Sequence, residues 1–169
     1  MWQYSKYSKI SPVAERHFPF KSPRTDQLET ISEIIDAISR GYKYIVLEAG
    51  TGTGKSAIAA TLSSIYDSSY ILTVTKQLQD QYLEDFTNLC LVKGRGNFRC
   101  RMDLTLPCDE GKCIAGEESC ENTKTDCDYY IQKHRALNSS TVISNYHYMF
   151  LELNYVGDFK KRQLLICDE

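Results

Sequence analysis

The chain has 169 residues, 42% of them hydrophobic and 25% charged, with a formal net charge of −2. This balance supplies enough apolar surface for a sizeable core and excludes a disordered tail, a collagen-like fibre and a disulfide miniprotein. It also excludes a wholly basic nucleic-acid coat, so any site for a polyanion must be local.

No apolar run approaches the ~18 residues of a membrane-spanning helix, and the opening Met1-Trp2-Gln3-Tyr4 lacks the basic-then-apolar order of a leader. A monomeric cytoplasmic protein, or a nuclear one in a eukaryote, with no membrane partner is the expectation. Residues 1–23 place Tyr4, Tyr7, Phe18 and Phe20 around Pro12, Pro19 and Pro23 and read as an irregular lead-in. Over 26–39, Leu28, Ile31, Ile34, Ile35 and Ile38 recur every three or four residues, which predicts a helix stopped by Gly41. Residues 42–49, centred on Ile45-Val46-Leu47, predict a strand; a glycine-rich loop and a helix over 56–65 follow. A second strand over 70–74 and helix over 77–86 extend the alternation, so the fold class is α/β with a parallel sheet. From Lys93 the periodicity fades, and Cys100, Cys108, Cys113, Cys120 and Cys127 crowd a Gly-, Asp- and Glu-rich stretch that has too little core to fold without a cross-link. A helix over 129–137 and strands over 141–144 and 163–167 complete the pattern, with Asp168 and Glu169 at the carboxyl end of the last strand. Cys90 and Cys167, on predicted strands, read as small core residues.

Ala49-Gly50-Thr51-Gly52-Thr53-Gly54-Lys55-Ser56 lies between a predicted strand and a predicted helix, the context of a nucleotide-binding P-loop. Small residues let backbone N–H groups turn inward around phosphate, and a helix N-terminus adds its dipole. Lys55 is placed to reach the β- and γ-phosphates of ATP, and the Ser56 hydroxyl to ligate Mg2+. The acidic pair at the end of 163–167 suits the same chemistry, Asp168 holding the Mg2+ shell and Glu169 polarising the attacking water. Ala49 stands where the general P-loop pattern has glycine, a variant that resembles motif I of superfamily 2 helicases.

From Phe18 to Glu169 the chain resembles the XPD/DinG family of iron–sulfur superfamily 2 DNA helicases. The resemblance implies a P-loop NTPase RecA-like sheet with a cysteine-rich iron–sulfur insertion: 1–96 as the N-terminal part of motor domain 1, 97–127 as the insertion, and 128–169 as the continuation, ending within the DExH box. Phe18-Pro19-Phe20 with Arg24 and Gln27 resembles the Q motif, which makes Gln27 the adenine reader. Thr73-Val74-Thr75-Lys76-Gln77 resembles motif Ia, whose Thr75, Lys76 and Gln77 would grip single-stranded DNA. The implied activity is ATP-dependent DNA unwinding, 5′ to 3′, with protein partners in a repair or replication machinery. A non-catalytic DNA- or protein-binding module is the reading from a different class.

Lys93-Gly94-Arg95-Gly96-Asn97-Phe98-Arg99-Cys100 is similar to the family's lead into its first cluster ligand. Cys127-Asp128-Tyr129-Tyr130 resembles its last, with Asp128 in place of proline. By that resemblance Cys100, Cys113, Cys120 and Cys127 hold a 4Fe–4S cluster and Cys108 is surplus. Independently of any family, soft thiolates select iron–sulfur or zinc over Mg2+, spacing alone does not choose between the two, and the close CxxC pair usual for zinc does not occur. Lys93, Arg95, Arg99 and Arg101, interleaved with Phe98, make a local basic run suited to phosphate contact and base stacking on single-stranded DNA.

Overall fold

The computed structural model describes residues 10–115 and 125–168, which fall in two compact units, Met1–Asp67 and Ser68–Glu169. Cys120 and Glu169 lie outside the described residues. Among the described residues no helix is long and apolar enough to cross a membrane. The compact units divide after Asp67.

The first unit consists of helices around the glycine-rich loop. Helix α1 (Pro12–His17) occupies part of the expected irregular lead-in, because Pro12 sits in the first turn, where a missing N–H costs nothing and a fixed φ suits the helix. Helix α2 (Gln27–Ser39) turns Leu28 and Ile31 inward. Gly41, at φ +89°, ends it: the Gly41 N–H donates to the Ile38 carbonyl at 2.9 Å and the Tyr42 N–H to the Ala37 carbonyl at 3.1 Å, a Schellman turn. Helix α3 (Lys55–Ile65) buries Ala57, Ile58, Ala59, Ala60 and Leu62 and packs with α1 and α2. The strand expected at 42–49 does not form, and Tyr44 and Val46 are 91% and 94% exposed. Its β-branched residues favour a pleated, half-buried surface, but a strand exists only with a partner, and the described residues of this unit contain none.

The second unit holds a four-stranded parallel sheet in the order β2-β3-β1-β4, with β1 (Ser69–Thr73), β2 (Cys90–Leu91), β3 (Thr141–Asn145) and β4 (Leu164–Cys167). The central strands are buried along their length apart from Asn145, as parallel strands covered on both faces must be. Each of the fully buried Ile71 and Ile143 contributes about 1.5–3 kcal/mol by its removal from water. The edge strand β4 alternates, with Leu165 54% exposed and Cys167 exposed, so Cys167 is not the core residue expected of it; Cys90 is half-buried.

Helix α4 (Lys76–Asp85) follows β1, short α5 (Lys112–Ala115) lies in the cysteine-rich stretch, and α6 (Asp128–Leu137) leads into β3. Helix α7 (Tyr146–Leu151) runs on into a π-turn at Glu152–Val156. A buried ion pair joins these last elements: Lys133 Nζ lies 2.7 Å from both Glu152 Oε1 and Asp158 Oδ2. Burial works against the Lys133 charge, but the two carboxylates prevail and its pKa rises. Removing one partner of such a buried pair costs about 3–5 kcal/mol, because the other charge stays behind without its counter-ion.

Candidate nucleotide, metal and nucleic-acid sites

Gly52 and Gly54, at φ +79° and +83°, give the 49–56 loop its turn into α3. Lys55 Nζ folds back over the loop, donating to the Ala49 carbonyl at 3.1 Å and approaching that of Gly50 at 3.5 Å. Thr53 ties the loop across itself, its hydroxyl donating to the Gly50 carbonyl at 2.9 Å. Ser56 stands in the first turn of α3. Gln27, only 4% exposed, does not stand clear as an adenine reader would: its Nε2 donates to the carbonyls of Thr53 (3.1 Å) and Gly54 (3.2 Å), and its Oε1 accepts from the Arg24 N–H at 2.7 Å. The Arg24 guanidinium donates to the Gly52 carbonyl. The first turn of α2 therefore clamps the glycine-rich loop, a role that Arg24 shares and that sequence patterning does not show.

Gly54 is held to glycine twice over, by its positive φ and by Gln27, whose Nε2 would lie 2.3 Å from an added Cβ. The left-handed conformation costs about 1–2 kcal/mol for another residue. Gly54→Ala is expected to lower the melting temperature by about 2–8 °C and to weaken ATP binding as Gln27 is pushed off the loop, both readable by calorimetry. Unchanged melting and affinity would mean that the clamp does not form in solution.

In the second unit, Thr75, Lys76 and Gln77 stand exposed at the start of α4, where the Thr75 hydroxyl caps the helix by accepting from the Leu78 N–H at 3.2 Å. At the end of β4, Asp168 is fixed from several directions. Its N–H donates to the Leu72 carbonyl (2.8 Å), its carbonyl accepts from the Tyr146 hydroxyl (3.0 Å), and its Oδ2 accepts from the Tyr82 hydroxyl (2.5 Å). Burial first, and then the nearby Cys167 and Asp168, push the Tyr146 phenol up to about 12, so it stays a donor.

The cysteine-rich stretch takes its shape from a small hairpin. Arg99 bridges antiparallel to Pro107, the Cys100 N–H donates to the Leu106 carbonyl (3.0 Å), and the Cys108 N–H to the Phe98 carbonyl (2.8 Å). Asp103 makes the turn, its carboxylate accepting from the N–H (3.0 Å) and hydroxyl (2.6 Å) of Thr105. Cys127 is the N-cap residue of α6 and brings its sulfur to 3.7 Å from that of Cys108. Cys100, Cys108 and Cys127 are all buried free thiols, and an added Cβ at Gly111 would lie 3.0 Å from the Cys100 sulfur. Burial and the neighbouring Cys127 push the Cys108 thiol up to about 12. Cys108, the cysteine expected to be surplus, is thus the one whose sulfur approaches that of Cys127 among the described residues. Among the described residues no group of three or more His, Cys, Asp or Glu is drawn together closely enough to hold a metal.

The basic run is largely engaged within the protein. Arg95 is half-buried, its guanidinium 4.7 and 4.9 Å from the ring centroids of Tyr129 and Tyr130 and its Nη2 donating to the Tyr130 hydroxyl at 2.6 Å. It therefore fastens the lead-in of the hairpin to α6 rather than facing solvent. Lys93 pairs with Asp80 at 2.8 Å and Arg101 with Asp128 at 2.9 Å, while Arg99 reaches the Thr105 carbonyl at 3.3 Å. Asp128, the departure from proline, gains both that partner and a place in the first turn of α6, where the helix dipole favours a negative charge.

A protein-family model described as type III restriction enzyme, res subunit, matches residues 20–169. No curated protein and no solved structure matches the chain.

Proposed function

The chain belongs to the type III restriction enzyme res-subunit family, a superfamily 2 helicase-like motor domain of RecA-like α/β architecture, and from that premise we propose that it serves an ATP-dependent DNA helicase of the XPD/DinG type. The observation that carries the reading is the phosphate loop, with left-handed Gly52 and Gly54, Lys55 folded over the loop and the N-terminus of α3 behind it. In this reading Ala49, Gly50, Thr51, Gly52, Thr53 and Gly54 cradle the phosphates of ATP with backbone N–H groups. Lys55 would move from the loop's own carbonyls to the β/γ-phosphates, Ser56 and Asp168 are the residues that would each offer an oxygen to Mg2+, and Glu169 would be the general base. Mg2+, when bound, neutralises charge that builds on the transferred phosphoryl group. Gln27 keeps the loop in shape, and adenine recognition would require it to exchange one of its present partners.

Residues 97–127 form the metal-binding insertion between the motor segments 1–96 and 128–169. The donor set suits a thiophilic centre in kind, because hairpin and helix cap bring buried thiols together and Gly111 leaves room beside the Cys100 sulfur. The ligands proposed are Cys100, Cys113, Cys120 and Cys127, with Cys108, whose sulfur lies 3.7 Å from that of Cys127, as the alternative to Cys120. A 4Fe–4S cluster, when bound, would serve to stiffen the insertion rather than to transfer electrons. Exposed ion pairs contribute about 0–1 kcal/mol, so Lys93 and Arg101 can give up Asp80 and Asp128 for DNA phosphates, alongside Arg99, Thr75, Lys76 and Gln77. Arg95 stays with its tyrosines.

The test is coupling. Single-stranded DNA is expected to accelerate ATP hydrolysis by the full-length protein, with binding that weakens steeply as salt rises. Neutralising Lys93, Arg99 and Arg101 together should lower the log–log salt slope by roughly 0.7 for each phosphate left without its cation and reduce the stimulation. If DNA binds while hydrolysis stays indifferent to it, the binding-module reading replaces the helicase.

A further inference from the structure

The Tyr82 hydroxyl donates to Asp168 Oδ2 at 2.5 Å across 86 residues of sequence, the length of a charge-assisted O–H···O⁻ bond. Tyr82 is fully buried, and its ring lies against Phe86 at 5.7 Å between centroids. The Asp168 backbone is itself pinned, its N–H by the Leu72 carbonyl and its carbonyl by the Tyr146 hydroxyl. The freedom left to the residue is rotation of the carboxylate, and that is what the phenol restrains. Tyr82 stands on α4, whose first turn presents Thr75, Lys76 and Gln77 to solvent, about 10 Å along the helix at 1.5 Å per residue. One rigid element thus carries the candidate DNA contacts at one end and a bond to the candidate Mg2+ carboxylate near the other.

We infer that Tyr82 is a positioning residue that orients the Asp168 carboxylate for its metal and transmits to it the engagement of single-stranded DNA by α4. The inference rests on the reading of Asp168 as a Mg2+ ligand. It uses the general behaviour of groups that hydrogen-bond to ligating carboxylates, whose loss costs about 10–100-fold in metal affinity. It also gives the buried phenol a reason to be where it is, since a phenylalanine would fill the same apolar space without needing a partner.

The measurement is Mn2+ binding to the full-length protein with saturating ATP analogue, followed by electron paramagnetic resonance with and without an oligo(dT) strand. Tyr82→Phe keeps the ring and its packing, and is expected to weaken Mn2+ binding about 10-fold and to abolish the tightening that oligo(dT) produces in the wild-type protein. Tyr70→Phe is the matched control: it deletes another phenol hydroxyl, bonded to the Lys160 carbonyl at 2.6 Å and away from Asp168. That variant should bind Mn2+ as the wild type does. Unchanged Mn2+ affinity in Tyr82→Phe, equal losses in both variants, or tightening by oligo(dT) that survives Tyr82→Phe would each overturn the inference. Asp168→Asn separates it from its premise, because undiminished Mn2+ binding there would mean that Asp168 is no metal ligand at all.

Discussion

Lys55→Ala is expected to abolish ATP hydrolysis while the protein keeps its fold. Two very different magnitudes meet at this side chain. In the protein alone, Lys55 donates to the carbonyls of Ala49 and Gly50 on a partly exposed loop, neutral acceptors for which a net contribution of about 1.5–3 kcal/mol per bond to a charged donor is an upper range. On the reaction path the same ammonium faces charge developing on the transferred phosphoryl group, where deleting one preorganised donor costs about 100- to 1,000-fold in rate. The variant should therefore melt within a few degrees of the wild type and turn over ATP at a rate near background. Steady-state hydrolysis and a melting curve on one preparation decide it. Collapse of the fold would make Lys55 a structural clasp of the loop, and retained hydrolysis would remove the phosphate-loop reading.

What can be read from sequence follows from where each feature is encoded. The glycine-rich loop is legible as a turn because its pattern demands backbone conformations that glycine alone adopts easily, and Gly52 and Gly54 have the positive φ that the pattern implies. Helix α2 is legible from its apolar period, and β1 and β3 from their β-branched and apolar centres, Tyr70-Ile71-Leu72 and Val142-Ile143. The 42–49 strand is not, because its composition states a preference while a ladder needs a partner that composition does not supply. Tyr82 looks in sequence like one more apolar residue of an amphipathic helix. Its bond to Asp168 exists only once β4 lies beside β1 and α4 packs nearby, which is a fact of sheet order. Arg95 misleads for a related reason: a basic residue in a glycine-rich run resembles a solvent-facing cation until Tyr129 and Tyr130 arrive from 34 and 35 residues away to stack on it. Gln27 likewise spends on the loop the hydrogen bonds that the family resemblance assigns to adenine.

Anaerobically purified protein is expected to be brown and to carry about four iron atoms per chain, and the pattern of single cysteine variants then identifies the ligands. Cysteine spacing in the sequence does not choose among five candidates, since ligand pairing depends on how the chain folds back between them. The Asp103 turn sets the hairpin that places Cys108 opposite Cys127, with sulfurs 3.7 Å apart. Free of metal, this is a pair of buried thiols, and burial raises Cys108 to about 12, so binding must displace protons and draw the thiolates in toward the metal. Cys100→Ser, Cys113→Ser and Cys127→Ser should each lose iron and, with it, the protease resistance of 97–127, whereas Cys90→Ser should retain both. The decisive comparison is Cys108→Ser against Cys120→Ser. Iron lost from the second and kept by the first is the outcome expected of the ligand set that the family resemblance implies and would reduce the Cys108–Cys127 approach to packing; the reverse would put Cys108 in the place of Cys120. One zinc and no iron would keep the thiolate site but remove the cluster, and with it the resemblance to iron–sulfur helicases, leaving a helicase-like motor whose insertion is fixed by a single closed-shell ion.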